Sequence, residues 1–202
     1  MKKILIFLIS LIPAIGLCQK EPAKMQAVDL GLSVKWANMD LGATSEYDYG
    51  EPFAWGETKT KARFRRVNYE FFKPASTVYK KIGKDISGTE YDAARKQLGG
   101  TWRMPNQKEW RELVKKCKWT LEREGNSYYI KVTGKTGAYI IIYIGNYGSI
   151  IDYWTSTNAT FQDDFDRRAW SIRFYLDGGK IKKMHSPDFG REKGLCIRPV
   201  CE

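Results

Sequence analysis

Hydrophobic positions change period several times along the chain, and each change predicts an element. Over residues 28–41 the apolar side chains Leu32, Val34 and Trp36 fall every second position, the period of a strand, and Gly42 closes the run. From Gly42 to Gly88 no period is sustained, and Gly50, Gly56, Gly83, Pro52 and Pro74 punctuate a stretch rich in Tyr, Phe and Lys. An irregular segment of that length in a folded domain is either functional or held by its own aromatic side chains. Residues 89–98 then set Tyr91, Ala94 and Leu98 at helical spacing ahead of Gly99, which predicts a short helix with a left-handed stop. A second helix begins at Asn106, with Glu109 completing a capping box and Trp110, Leu113, Val114 and Cys117 forming an apolar stripe.

The rest of the chain is rich in strand signals. Residues 127–132 and 138–144 are β-prone runs joined by Gly134-Lys135-Thr136-Gly137, a four-residue hairpin connection. Residues 153–156 open a region of edges and turns. Trp170, Ile172, Phe174 and Leu176 alternate with Ser171, Arg173 and Tyr175, and Asp177-Gly178-Gly179 turns the chain back into a strand over 180–184. Residues 194–200 supply a last strand. The expected fold class is α+β, a twisted antiparallel sheet with two flanking helices and a long irregular loop region.

Composition narrows this picture. With 28% charged and 14% aromatic residues in 202, the chain is too apolar and ring-rich for disorder, and its length fits one domain. The first 18 residues read as a secretory signal peptide: Lys2 and Lys3 form the charged region, an apolar run extends to Leu17, and cleavage is expected between Cys18 and Gln19. Acylation of Cys18 as a lipoprotein is the alternative, and Leu17 before it is bulky where such signals carry Gly or Ala. Residues 19–26 form a polar linker and 27–202 the single domain, with no transmembrane span after Cys18. The expected location is secreted, periplasmic or cell-surface.

Removing Lys2 and Lys3 with the leader takes two charges from the net +11 and leaves +9. A basic exported protein is drawn to an anionic glycan, a lipid headgroup or an acidic surface protein, and nucleic acid is not an expected partner outside the cell. Cys117, Cys196 and Cys201 remain in a compartment where disulfides persist. Cys196 and Cys201, five positions apart on an expected strand, would stand roughly 16 Å apart. That is beyond the ~7 Å limit of a bridge. Unless Pro199 turns the chain, one of them is expected to pair with Cys117.

Several phrases together carry a family resemblance: Val28-Asp-Leu-Gly-Leu-Ser-Val-Lys-Trp-Ala-Asn38, Phe53-Ala-Trp-Gly-Glu57, Gly100-Thr-Trp-Arg-Met-Pro105, Glu109-Trp110, Tyr153-Trp-Thr-Ser156, Ala169-Trp170 and Ile197-Arg-Pro-Val200. In unbroken order from Val28 to Val200 they resemble the Fibrobacter succinogenes major paralogous domain family. Those are secreted proteins abundant in gut Bacteroidetes and related to the formylglycine-generating-enzyme-like branch of C-type-lectin folds. The resemblance implies a C-type-lectin-like domain whose first and last strands bring the termini together. It implies framework roles for Trp36, Trp55, Trp102, Arg103, Pro105, Trp110, Trp154, Trp170, Arg198 and Pro199.

Candidate chemistry is sparse. His185 is the single histidine and has no nucleophile or ligand set at informative spacing. The copper-binding cysteine pair of the formylglycine-generating relatives has no counterpart in Cys196 and Cys201, so that activity is not carried over. Asp163, Asp164 and Asp166 lack calcium-loop spacing, and Arg167 and Arg168 offset them. No cofactor, metal or catalytic residue is expected. Lys59, Lys61, Arg63, Arg65 and Arg66 interleave with Phe64, Tyr69, Phe71 and Phe72, a pattern suited to anionic chains that also stack on rings, the alternative being rings packed under the loop with solvated charges above. The expected function is a non-enzymatic binding or adhesion module that uses Lys59, Lys61, Arg63, Phe64, Arg65, Arg66 and Tyr69 with the loop at Asp163 and Asp164. The alternatives are a structural envelope component that associates with anionic polymer, and a degenerate formylglycine-generating-type enzyme.

Overall fold

A computed structural model of the chain describes residues 24–75, 78–145, 150–159 and 167–202. The expected leader with Cys18, most of the linker, and the acidic loop bearing Asp163, Asp164 and Asp166 lie outside the described residues. In chain order the elements are β1 (Ala27–Val28), β2 (Lys35–Ala37), a 3₁₀ turn at Arg66–Asn68, β3 (Phe72–Lys73) and β4 (Val78–Tyr79). There follow α1 (Ala93–Leu98), α2 (Gln107–Lys116), β5 (Lys118–Glu124), β6 (Ser127–Thr133), β7 (Tyr139–Gly145), β8 (Ile150–Asn158), β9 (Arg168–Asp177), β10 (Lys180–Gly190) and β11 (Val200–Cys201).

The α+β class with two flanking helices is overturned. The described chain is mostly antiparallel sheet, and its two helices are only six and ten residues long. Nor is there one sheet: β5-β6-β7, β10-β9-β8 and β1-β2-β11 are three-stranded, and β3-β4 is a separate pair. Both helices occur, α2 behind its expected Asn106 cap and α1 only from Ala93, where Asp92 caps it, instead of from residue 89. Gly99 ends α1, and α2 exits at Cys117 straight into β5. In β5, Trp119 and Leu121 turn to the core while Lys118, Glu122 and Glu124 point outward, and this charged alternation hid the strand. Most of the expected first strand over 28–41 is irregular, whereas 153–156 lies inside the nine-residue β8 instead of a region of turns.

Local chemistry sets the turns and caps. Gly178 and Gly179, with φ of 54° and 74°, form the two-residue hairpin between β9 and β10, where side chains with a Cβ are strained. The Asn106 side chain accepts from the amides of Lys108 and Glu109 at 2.9 and 3.0 Å, and Glu109 accepts from the Asn106 amide at 2.8 Å. Glu109 also takes a two-pronged contact from Arg103, at 2.7 and 3.0 Å.

Two apolar clusters fill the interior. The sheet core lies between β5-β6-β7, β8-β9-β10 and α2, where Trp36 and Trp110 meet edge to face at 4.7 Å among Ile130, Val132, Ile142, Ile172 and Phe174. The loop core gathers Phe53, Trp55, Tyr69, Phe71, Tyr79, Ile86, Met104 and Ile197 from segments of little regular structure. β8 walls both, since Tyr153 faces the first and Trp154 the second. Indole N–H groups lace the loop to this strand: Trp154 donates to the Phe53 carbonyl at 2.7 Å and Trp55 to the Thr155 carbonyl at 2.9 Å. Trp36, Trp55, Trp110 and Trp154 are fully buried, and Trp102 and Trp170 are half-buried.

A buried ion pair joins the chain ends. Arg198 donates to Asp40 at 2.6 Å, to the Ala37 carbonyl at 3.2 Å and to the Ile141 carbonyl at 2.7 Å, while Tyr153 donates to Asp40 at 2.9 Å. Burial raises the Asp40 carboxyl to about 6, against the pull of Arg198 and Tyr153. Pro199 and Pro105 are buried beside this region, and their carbonyls accept from Ala37 and Ser156 at 2.9 Å each. Pairing of β2 with β11 brings the two ends of the domain together.

The expected bridge from Cys117 to Cys196 or Cys201 is absent, and all three thiols are free. Each faces a different neighbour. Cys117 caps α2 at the margin of the sheet core, Cys196 donates to the Tyr49 carbonyl at 3.3 Å, and Cys201 lies opposite Lys35.

Candidate functional site

The basic segment read from sequence is larger than it looked. Between residues 59 and 84 stand nine cations, Lys59, Lys61, Arg63, Arg65, Arg66, Lys73, Lys80, Lys81 and Lys84, and a single acid, Glu70. That is a net +8 within a chain whose total is +11. All of these cations except Lys61 are exposed. Lys80, Lys81 and Lys84 lie beyond the cation-and-ring pattern, which the sequence reading ends at Lys73. A running charge count would have found them.

Turn chemistry fixes the presentation. The Asn68 side chain accepts from the Arg65 amide at 3.0 Å and donates to the Arg63 carbonyl at 2.8 Å, which pins the 63–68 turn. Glu57, nearly buried, accepts from Lys61 Nζ at 2.8 Å and from the Glu70 amide at 2.8 Å, and Lys61 also donates to the Asn68 carbonyl at 2.8 Å. Lys61 is therefore a strut of the loop. Beside it lies a polar depression of about 470 Å³ lined by Glu57, Thr58, Lys59, Thr60, Lys61, Asn68 and Glu70.

The rings lie under the charges. Tyr69, expected on the binding surface, is only 3% exposed, and its hydroxyl donates to the Trp55 carbonyl at 2.6 Å and accepts from Arg191 Nε at 3.0 Å. Burial pushes its phenol far above the ordinary range. Phe64 is half-buried against the C-terminal segment, where a Cβ on Gly194 would fall 2.5 Å from its ring. Arg66 lies 5.5 Å from the Phe72 ring centre and 6.0 Å from that of Tyr79. Tyr79 donates to Glu192 at 2.8 Å, and burial, then that bond, pushes its phenol up to about 12.

Arg191, missed from sequence, is the hub beneath the lobe. Its fully buried guanidinium lies 4.7 Å from the Trp55 ring centre and donates to Tyr69 and to the Lys80 carbonyl at 3.2 Å. A lone Arg in Gly190-Arg191-Glu192 carries no signal of burial. Outward, the lobe offers Lys59, Arg63, Arg65 and Arg66, guanidinium and ammonium donors on a braced loop, suited to oxyanions such as carboxylate or sulfate.

No nucleophile and base come together among the other candidates. His185 is half-buried on β10, and burial with the nearby Arg111 lowers its pKa. Burial raises the thiols of Cys117, Cys196 and Cys201 above their ordinary value, the opposite of an activated nucleophile. Among the described residues no group of three His, Cys, Asp or Glu stands where it could hold a metal ion, and no helix is long and apolar enough to cross a membrane. Compared with family models, with curated proteins and with solved structures, the chain finds no match.

Proposed function

We propose that the protein is an exported, non-enzymatic binding module that engages an anionic glycan at the cell surface through the basic lobe over residues 59–84. The observation that carries this reading is the concentration of charge. Eight exposed cations sit on one loop-borne lobe, and the buried rings and Arg191 brace that lobe from beneath. Arg63, Arg65 and Arg66 follow in a pinned turn, so their guanidiniums are presented with less freedom to lose on binding than those of a flexible tail. Export is supported by the leader-like first 18 residues and by the resemblance of the tryptophan phrases to a secreted family.

The test is titration of the mature protein with sulfated and uronate-bearing polysaccharides of matched charge density, at low and at physiological salt. The reading predicts saturable binding that discriminates between these polymers and weakens at least about tenfold in Arg63→Glu/Arg65→Glu/Arg66→Glu, the scale of losing a few charge-assisted contacts. Binding that follows charge density alone and disappears at physiological salt contradicts it and favours a structural role in the envelope.

A further inference from the structure

The outer face of β5-β6-β7 has a character opposite to the basic lobe. Ile130, Val132, Ile140, Ile142 and Ile144 turn into the sheet core, which leaves Glu122, Tyr129, Lys131, Tyr139 and Tyr143 on the other side. The loop over residues 45–49 lies against that side. Tyr47 meets Tyr129 edge to face at 5.3 Å, and Tyr49 meets Tyr143 at 4.9 Å.

These rings are held in place. The Tyr49 hydroxyl donates to the Ile144 carbonyl, the hydroxyls of Tyr143 and Ser127 lie 3.2 Å apart, and Lys131 Nζ stands 4.2 Å from the Tyr139 ring centre. Yet Tyr47 and Tyr139 remain 46% and 47% exposed. Of the six large hydrophobic side chains that are exposed among the described residues, three are Tyr47, Tyr49 and Tyr139. Ile141, the aliphatic side chain in their midst, is only 2% exposed. The surface is thus phenolic and not aliphatic. Carboxylates frame it: burial first, then Tyr129, Glu124 and Glu46, raises the Tyr47 phenol above its ordinary value.

We infer that this face is a second binding site, for the neutral pyranose units of a polysaccharide. The C–H face of a sugar ring is weakly positive and packs on the negative face of a phenol ring, while its hydroxyls donate to carboxylates such as Glu46 and Glu122 and accept from Lys131. Glu46, Glu122 and Glu124 stand against Lys118 and Lys131, so the face is of mixed charge and gives a polyanion little net attraction.

The experiment measures binding of the mature protein to soluble neutral probes, a β-glucan, a xylan and a galactomannan, by affinity electrophoresis and titration calorimetry at low and high salt. At least one probe is expected to bind with little dependence on salt. Tyr139→Ala and Tyr47→Ala are each expected to weaken that binding about tenfold, with thermal unfolding of each variant showing an intact fold. Arg63→Glu/Arg65→Glu/Arg66→Glu is expected to keep it, so failure of this site and of the basic lobe are read separately. The inference is overturned if no neutral probe binds, or if binding survives Tyr47→Ala/Tyr139→Ala. It is equally overturned if the protein self-associates and that double variant abolishes the association, since a second copy then covers the face.

Discussion

The two cores differ in how they are held. In the sheet core, alternating strands and one amphipathic helix turn Trp110, Ile130, Ile142, Ile172 and Phe174 inward, and ladder pairing satisfies the strand amides and carbonyls around them. In the loop core, rings of similar size are gathered from segments with almost no ladder, so side chains take over the bonding. Trp55, Trp154, Asp92 and Arg191 bond the carbonyls and amides that strands would otherwise pair. Strand ladders thus hold the sheet core, whereas the loop core depends on a few buried polar tethers. That dependence is what a fixed display surface for the basic lobe requires.

The largest expected effect separates the two by packing alone. Trp110→Ala empties the centre of the sheet core and is expected to cost about 3–5 kcal/mol in denaturant unfolding. A loss below about 1 kcal/mol would mean that the indole is not the keystone its complete burial implies.

The ion pair between Asp40 and Arg198 sharpens the comparison through pH. Folding raises the Asp40 carboxyl from 3.8 to about 6, so the folded state binds this proton more tightly than the unfolded chain. The corresponding stabilisation is fully present below pH 3.8 and is lost as pH rises through about 6. Asp40→Asn removes the titration. The stability of wild type relative to this variant is therefore expected to fall by about 3 kcal/mol between about pH 3.5 and pH 7, measured by urea unfolding at each pH. A pH-independent difference would contradict the shift.

In the loop core, Asp92→Ala strands three amide donors, those of Gly88, Arg95 and Met104, at 2.7, 3.1 and 2.8 Å from the carboxylate. The expected cost is about 2–3 kcal/mol, with partial rescue in Asp92→Asn, read by thermal unfolding. The smallest effect belongs to the lobe itself. Lys59→Glu/Arg63→Glu, on exposed positions, is expected to change stability by less than about 0.5 kcal/mol while altering polyanion binding.

Legibility in the sequence followed the same division. The β9–β10 hairpin was readable because alternation from Trp170 to Leu176 runs into Gly178-Gly179, and α2 because Asn106 and Glu109 mark its start. Those signals are local. The fold class was misjudged because caps tell where a helix begins but not that Cys117 leads directly into a strand. The positions of Asp40, Arg191 and Tyr69 depend on partners 158, 122 and 14 residues away, and no periodic pattern survives in the segments that bear them. The cations of the lobe were visible as composition, and of the two placements open for their rings, on the binding surface or packed beneath the loop, the burial of Tyr69 and Phe71 gives the second.

Native-state hydrogen exchange tests most directly whether polar tethers make the loop core as firm as the sheet core. The amides of Phe53, Trp55 and Met104, bonded to the Leu195 carbonyl, the Arg191 carbonyl and the Asp92 carboxylate, should exchange only through openings near the global unfolding free energy, as Ile130 and Ile172 do. If those three amides exchange through a separate opening several kcal/mol cheaper, the loop core is not held by its tethers and the lobe it carries is not a fixed surface.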